Sequence, residues 1–277
     1  MRKTEPDYRD NSEGKAINEQ EAIRRMQLSD DPSAQYYAAW WLGRNRSQNP
    51  EAIQLLRHAL HQRRPKDLSA EVEENAVARN AARALGKLGQ VAKESIPDLV
   101  EILHDDDYGL REAASRSLGQ LQATAAIIPI LQRLSSGPGI AGAREPGTPR
   151  LKEPCDAMLE ALGDIGQAST DVISIIKLYV NHERTVVHSS ACRALLQLTG
   201  DANWGEELVR LLKHDQLQVR RAALMDLGAT GWRQALEAIS ETLAENSLKL
   251  IAIKGLSEKS KSEEVDIPLL DAMDALL

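Results

Sequence analysis

The sequence predicts an all-α protein, an α-solenoid (superhelix) of about six helical hairpin repeats. Three observations carry that prediction. One six-residue phrase (Ala, Leu, Gly, any residue, Leu or Ile, Gly) returns at Trp41–Arg46, Ala84–Gly89, Ser117–Gln122, Ala161–Gly166, Ala194–Thr199 and Asp226–Gly231. Its third position falls at 43, 86, 119, 163, 196 and 228, so the unit is 32 to 33 residues and two intervals carry about 11 more. The 277 residues include no Phe and only 3% aromatics, which is unlike a sheet-based core, where aromatic and β-branched residues gather.

Each unit has the same layout. A first helix ends at the Leu-Gly phrase, where Gly supplies a left-handed C-cap. An apolar second helix follows, at residues 52–60, 95–103, 126–134, 172–180, 205–212 and 235–243. A polar turn then opens the next unit, as at Ser29-Asp30-Asp31-Pro32, Asp105-Asp106-Asp107, Asn181-His182-Glu183 and His214-Asp215. Asp before a helix caps it, and Pro suits its first turn. A single hairpin cannot bury its apolar face; stacked neighbours can. The solenoid is expected over 20–256. Residues 1–19 read as a flexible N-terminal segment, and 257–277 as a polar link with a terminal apolar helix, a candidate partner contact. The long intervals hold two insertions, a charged one near Gln62–Glu74 and a Gly- and Pro-rich one at Ser135–Pro154. The second is too rich in breakers for a helix interior.

The net charge of −7 argues against nucleic-acid or membrane-surface binding, both of which need a basic footprint. No run of about 18 apolar residues offers a membrane span, and Met1–Lys15 lacks the apolar core of a secretory signal. Two cysteines make no disulfide framework, so a cytoplasmic protein is expected. His58 and His61 share a helix face without a third ligand nearby, so no metal site is expected. Nor is there a nucleophile triad, a phosphate loop or a dinucleotide fingerprint.

The repeats serve as an internal alignment. Three residues before the marker stand Trp40, Arg83, Arg116, Glu160, Arg193 and Met225, and seven before it Tyr36, Arg79, Glu112, Asp156, Ser189 and Arg221. Elsewhere the first column is charged in four of five repeats and the second is polar throughout, so both are expected to face solvent. Tyr36 and Trp40 break them on one helix face. Trp41 replaces Ala, Ser or Asp, and Tyr37 replaces Asn, Ala or Ser, with Arg44 completing a Tyr37, Trp41, Arg44 stripe. The run suits either the bulky end cap of a terminal repeat or a binding surface for a large conjugated anion or a protein. Cys192 falls in an apolar column and is expected in the core. Cys155 shares a column with Gln35, Arg111 and Arg220, is expected to be more exposed at a helix start, and so is a candidate reactive thiol.

The run YYAAWWLGR at Tyr36–Arg44, together with the repeated phrase, resembles the HEAT-like repeats of the phycobilisome bilin lyases, in particular the E subunits of the E/F-type phycocyanobilin lyases of cyanobacteria. The resemblance covers roughly residues 20–256. It implies a heterodimer with a shorter F-type subunit that attaches phycocyanobilin, through a thioether, to a cysteine of the phycocyanin α subunit. Phycocyanobilin is then a substrate, with no permanently bound cofactor. The alternative is a non-catalytic scaffold or adaptor in phycobilisome assembly or degradation. Since the acceptor supplies the nucleophile, the lyase has to hold and orient an extended tetrapyrrole. The conjugated face calls for Tyr36, Tyr37, Trp40 and Trp41, the two propionates for Arg44 and Arg46, and the pyrrole nitrogens for a carboxylate. Asp30 and Asp31 could serve there or simply cap the helix. No general acid is assigned.

Overall fold

In the computed structural model, residues 17–64, 75–259 and 266–277 are described. The tail Met1–Lys15, most of the Gln62–Glu74 insertion and part of the expected link after Ser257 lie outside them. The chain forms one layer of helices, α2 (Pro32–Arg44), α4 (Ala76–Leu88), α6 (Tyr108–Gln120), α8 (Cys155–Ile165), α10 (Thr185–Thr199), α12 (Leu217–Thr230) and α14 (Asn246–Lys259). A second layer holds α1 (Glu19–Met26), α3 (Pro50–His61), α5 (Ile96–Ile102), α7 (Ile127–Leu134), α9 (Thr170–Lys177), α11 (Ala202–Leu211) and α13 (Leu236–Glu241), and α15 (Ile267–Asp274) closes the chain. Six hairpins, α2/α3 to α12/α13, match the expected period. They are flanked by α1 and by α14–α15. Ser257–Lys259 belongs to α14, not to a link. Among the described residues the one extended pairing is an isolated bridge, Arg144 to Leu151.

Polar residues before the helices act as the turns predict. Asp31 accepts from the Ala34 amide at 2.9 Å, Asp107 from Leu110 at 3.1 Å and Ser169 from Val172 at 3.3 Å. Each relieves one of the donors that a helix N-terminus leaves unmade.

The marker glycine has a different role from the expected cap. It lies inside the helix, against the backbone of the next helix in its layer. A Cβ on Gly86 would stand 2.7 Å from the Ser117 Cα, and on Gly119 2.9 Å from the Ala161 Cα. Gly43 meets Ala84, Gly163 meets Ala194 and Gly228 meets Ala252 in the same way. The phrase therefore encodes a lock: Gly of one inner helix receives a small Ala or Ser of the next, which in the first three contacts stands two places before that helix's own marker Gly. Helices of this layer pack along their length, while those of the other layer touch their neighbours sparingly. The tightly spaced layer must lie on the inside of the curve. The true caps are the last residues of the phrase. Gly166 and Gly231 adopt left-handed φ of 77° and 71°. In three repeats this position is not Gly: Arg46 and Gln122 hold φ of 49° and 52°, at a cost of about 1 kcal/mol each, and after Thr199 the cap falls one place later, on Gly200 at φ 68°.

The lock is missing at the start of the layer and at one seam. Trp41 sits where later repeats receive a glycine; among the described residues no earlier helix of the inner layer precedes it, and its indole packs on the core instead. At the α10/α12 seam Leu196 replaces Gly and Asp226 replaces Ala. This is the loosest seam of the layer, and the apolar core divides there into two clusters. Asp226 fills it with polar contacts, accepting from the Ser189 hydroxyl and facing Arg193 at 3.5 Å.

The Ser135–Pro154 insertion is folded onto the repeats. Ala141 and Leu151 are buried, the Tyr179 hydroxyl donates to the Leu134 carbonyl at 2.7 Å, and Arg111 donates to the Lys152 carbonyl at 2.8 Å. Replacing Gly119 by Val should cost about 1–3 kcal/mol by forcing α6 and α8 apart. Leu196→Val, at the seam without the lock, should cost under about 1.5 kcal/mol. Urea unfolding of both variants checks this ordering.

Candidate functional site

On the inner surface of α2, Tyr36, Tyr37 and Trp40 are exposed, at 37%, 62% and 45%. The two tyrosine rings meet edge to face at 5.5 Å, and the Arg44 guanidinium lies 5.5 Å from the Trp40 ring centre. Asn80, buried on α4, donates to the Tyr36 carbonyl at 3.1 Å and ties the run to the second repeat. Trp41 turns away into the core and is only partly exposed. The expected Tyr37, Trp41, Arg44 stripe is therefore divided, while Tyr36 and Trp40 share the open face. Arg44 and Arg46 are exposed. Asp31 caps α2, and Asp30 is exposed beside it.

The columns expected to face solvent do so only at the ends of the layer. In the middle repeats they form a ladder of ion pairs across the seams. Arg116 of α6 meets Asp156 at 2.8 Å and also bonds Glu160 of α8. Arg193 of α10 meets Asp164 at 2.9 Å, Glu160 at 3.6 Å and Asp226 at 3.5 Å. Backbone-close helices on the inside of a curve crowd their side chains over one another, so charged groups lose water that a lone helix would leave them. With Glu112, the ladder sets two guanidiniums against five carboxyls. Excess negative charge in a dehydrated seam favours keeping a proton. Burial raises the Glu160 carboxyl to about 7 against the pull of Arg116 and Arg193, and burial also raises Asp226.

The cysteine expectation needs correction. Cys155 is fully buried, and burial pushes its thiol up to about 12; the same holds for Cys192. The Cys155 column lies at the junction between repeats. Its polar members bond carbonyls at the ends of preceding helices, Gln35 to Met26 at 3.0 Å and Arg111 to Asp105 at 2.8 Å. A polar residue type thus marked a buried, satisfied position there. The His58 and His61 rings are exposed, and no cluster of three metal-ligating side chains occurs among the described residues. No described helix is long and apolar enough to cross a membrane. On α15, Leu269 is buried while Ile267 and Leu270 are exposed.

An all-helical repeat solenoid with an aromatic and cationic face at one end defines the class, and the comparisons agree. Residues 34–62 and 219–245 match the PBS lyase HEAT-like repeat, and residues 65–141 match HEAT repeats. The chain is 48% identical to the bilin biosynthesis protein RpcE of Synechococcus sp. (strain WH8020), over 94% of this chain and 96% of that protein. It is 42% identical to the phycocyanobilin lyase subunit alpha of Picosynechococcus sp., over 93% of this chain and 96% of that one. It superposes with a TM-score of 0.84 and 39% identity, over 100% of both chains, on a chain of the complex of CpcE and CpcF of phycocyanin lyase from Nostoc sp. PCC7120. The chain belongs to the phycocyanobilin lyase alpha-subunit family, whose members carry PBS lyase HEAT-like repeats.

Two outcomes follow. Neither cysteine should react with a thiol reagent in the native protein, and both should react after unfolding; counting labelled thiols by mass spectrometry checks this. The folded-state value of about 7 for Glu160 lies above its ordinary 4.5, so the folded state holds that proton more tightly. The proton's contribution to stability is therefore full below pH 4.5 and lost as pH rises through 7. In Glu160→Gln that slope, at most about 1.4 kcal/mol per pH unit, should flatten in urea titrations run from pH 5 to 8.

Proposed function

We propose that this chain is one subunit of a two-chain lyase that holds phycocyanobilin while a cysteine of the phycocyanin α subunit adds to it. The thiolate attacks the exocyclic ethylidene carbon of ring A, a carbon–sulfur bond forms, and the tetrapyrrole takes up a proton. The observation that carries this reading is the open aromatic face of α2, Tyr36, Tyr37 and Trp40 with Arg44 over the indole, on a chain whose own thiols are buried. Such a surface stacks a flat conjugated ligand and offers cations to its propionates, with Arg46 nearby. It supplies orientation, and the acceptor supplies the nucleophile. Phycocyanobilin is the substrate, no cofactor stays bound, and the reaction takes place in the cytoplasm.

An F-type subunit is the partner. The complex of CpcE and CpcF supports this, and so does the exposed apolar side of α15, with Ile267 and Leu270 uncovered in the single chain. Activity requires both subunits.

The test combines the chain, an F-type subunit, phycocyanobilin and apo-phycocyanin α subunit, and follows covalent adduct by zinc-enhanced fluorescence on a denaturing gel. Omitting the F-type subunit should abolish adduct formation. Trp40→Ala should lower adduct yield and leave the thermal midpoint within about 2 °C, as for a surface site. Trp41→Ala should destabilise by about 2–3 kcal/mol, toward the low end for a buried Trp. No adduct from the folded wild-type pair would favour a scaffold instead.

A further inference from the structure

We propose that Arg83 and Lys87 of α4 form the carboxylate-binding half of the aromatic site, with the ligand's propionates filling the place that acidic side chains hold at the central seams. The inference rests on the bilin-binding reading above and adds residues to it.

The argument starts from what the first seam lacks. At the α6/α8, α8/α10 and α10/α12 seams, the cations of the inner columns meet acids of the adjacent helix: Arg116 meets Asp156 and Glu160, and Arg193 meets Glu160, Asp164 and Asp226. Beyond α12, Arg221 meets Glu245. The first seam has the same columns and the same backbone lock, Gly43 on Ala84. Its α4 side offers Arg83 and Lys87, both exposed. Its α2 side offers Tyr36, Trp40 and Arg44, with no acid. Arg79, further along α4, lies close to Asp107 and is engaged there. Arg44 leans on Trp40, and Arg46 is exposed, so Arg44 and Arg46 of the first repeat and Arg83 and Lys87 of the second carry no ion pair among the described residues. Four exposed cations without acidic partners, in a chain of net charge −7, give an anion a favourable place to bind.

Geometry places Lys87 and Arg46 at one opening, with Arg83 one helical turn before Lys87 on α4. The Lys87 Cδ lies 3.6 Å from where a Cβ on Gly43 would stand, so this side chain crosses the seam beside the aromatic run. A cavity of about 380 Å³ begins there, lined by Arg46, Lys87, Gln120, Gln122 and Lys259. Asp164 at its rim is already bonded to Arg193 and Gln197. Stacking rings on one side and uncompensated cations on the other suit a flat ligand with two carboxylates on flexible arms.

The test measures binding to the wild-type pair of subunits by absorbance titration, with phycocyanobilin and its dimethyl ester as probes. The ester keeps the conjugated system and loses both charges. An exposed charge-assisted contact is worth up to about fivefold in affinity. The double variant Arg83→Gln/Lys87→Gln should therefore bind the free acid up to about 25-fold more weakly, with an unchanged thermal midpoint. It should bind the ester as the wild type does, and the wild type should bind the ester at least as weakly as the variant binds the acid. Trp40→Ala should weaken both probes. If Trp40→Ala weakens both while the double variant leaves the acid unaffected, or weakens acid and ester alike, the assignment of Arg83 and Lys87 is overturned and the aromatic site stands. If Trp40→Ala changes neither probe, the aromatic site itself fails, and this inference with it.

Discussion

The structure depends on the contact between the marker glycine of one inner helix and the small residue facing it on the next. At Gly86 and Ser117 two helix backbones approach to a distance at which no side chain fits between them. This contact sets the spacing of the inner layer. The outer layer, with bulkier apolar side chains, has no such lock and spreads. The curvature of the solenoid is the geometric result of that difference. Stability and shape are thus determined by the same small residues.

The ends and the loose seam follow from the same constraint. Trp41 can be large because no described helix precedes α2 in its layer. Leu196 and Asp226 depart together because they face one another; once the glycine is lost the opposing alanine need not be small, and the widened seam takes a polar network instead. The division of the apolar core near α10 is the packing consequence. The charged ladder depends on curvature as well. Arg116, Glu160 and Arg193 would be ordinary surface residues on isolated helices. Held at backbone distance on the inside of a curve, they lose solvent and become mutually dependent, which is why Glu160 keeps its proton toward neutral pH.

Against that ladder, the first repeat stands apart. Its columns carry rings where the others carry charge, and the cations opposite are left without acids. A repeat protein can place a binding surface at one end in this manner without a dedicated pocket, because the scaffold already presents equivalent positions side by side. Substituting a few of them changes a self-satisfied seam into one whose rings and cations stay exposed.

Much of this was legible in the residues. The spacing of the Leu-Gly phrase, Asp31 before α2 and the apolar second helices are local signals, and local hydrogen bonding and periodicity decide them. The anomaly of Tyr36, Tyr37, Trp40 and Trp41 also showed in the sequence, since the other repeats provide the comparison. What only the tertiary structure decided is which polar columns are covered. Gln35, Arg111 and Cys155 share a column that reads as exposed, yet they lie where a helix start meets the end of the preceding hairpin, and carbonyls there satisfy the polar members. The marker glycine looked like a cap, because its need for space comes from a helix distant in sequence. The separation of Trp40 from Trp41, one open and one buried, has the same origin: neighbouring positions on a helix point about 100° apart, and only the packing of α1 and α4 around α2 determines which direction meets protein and which meets solvent.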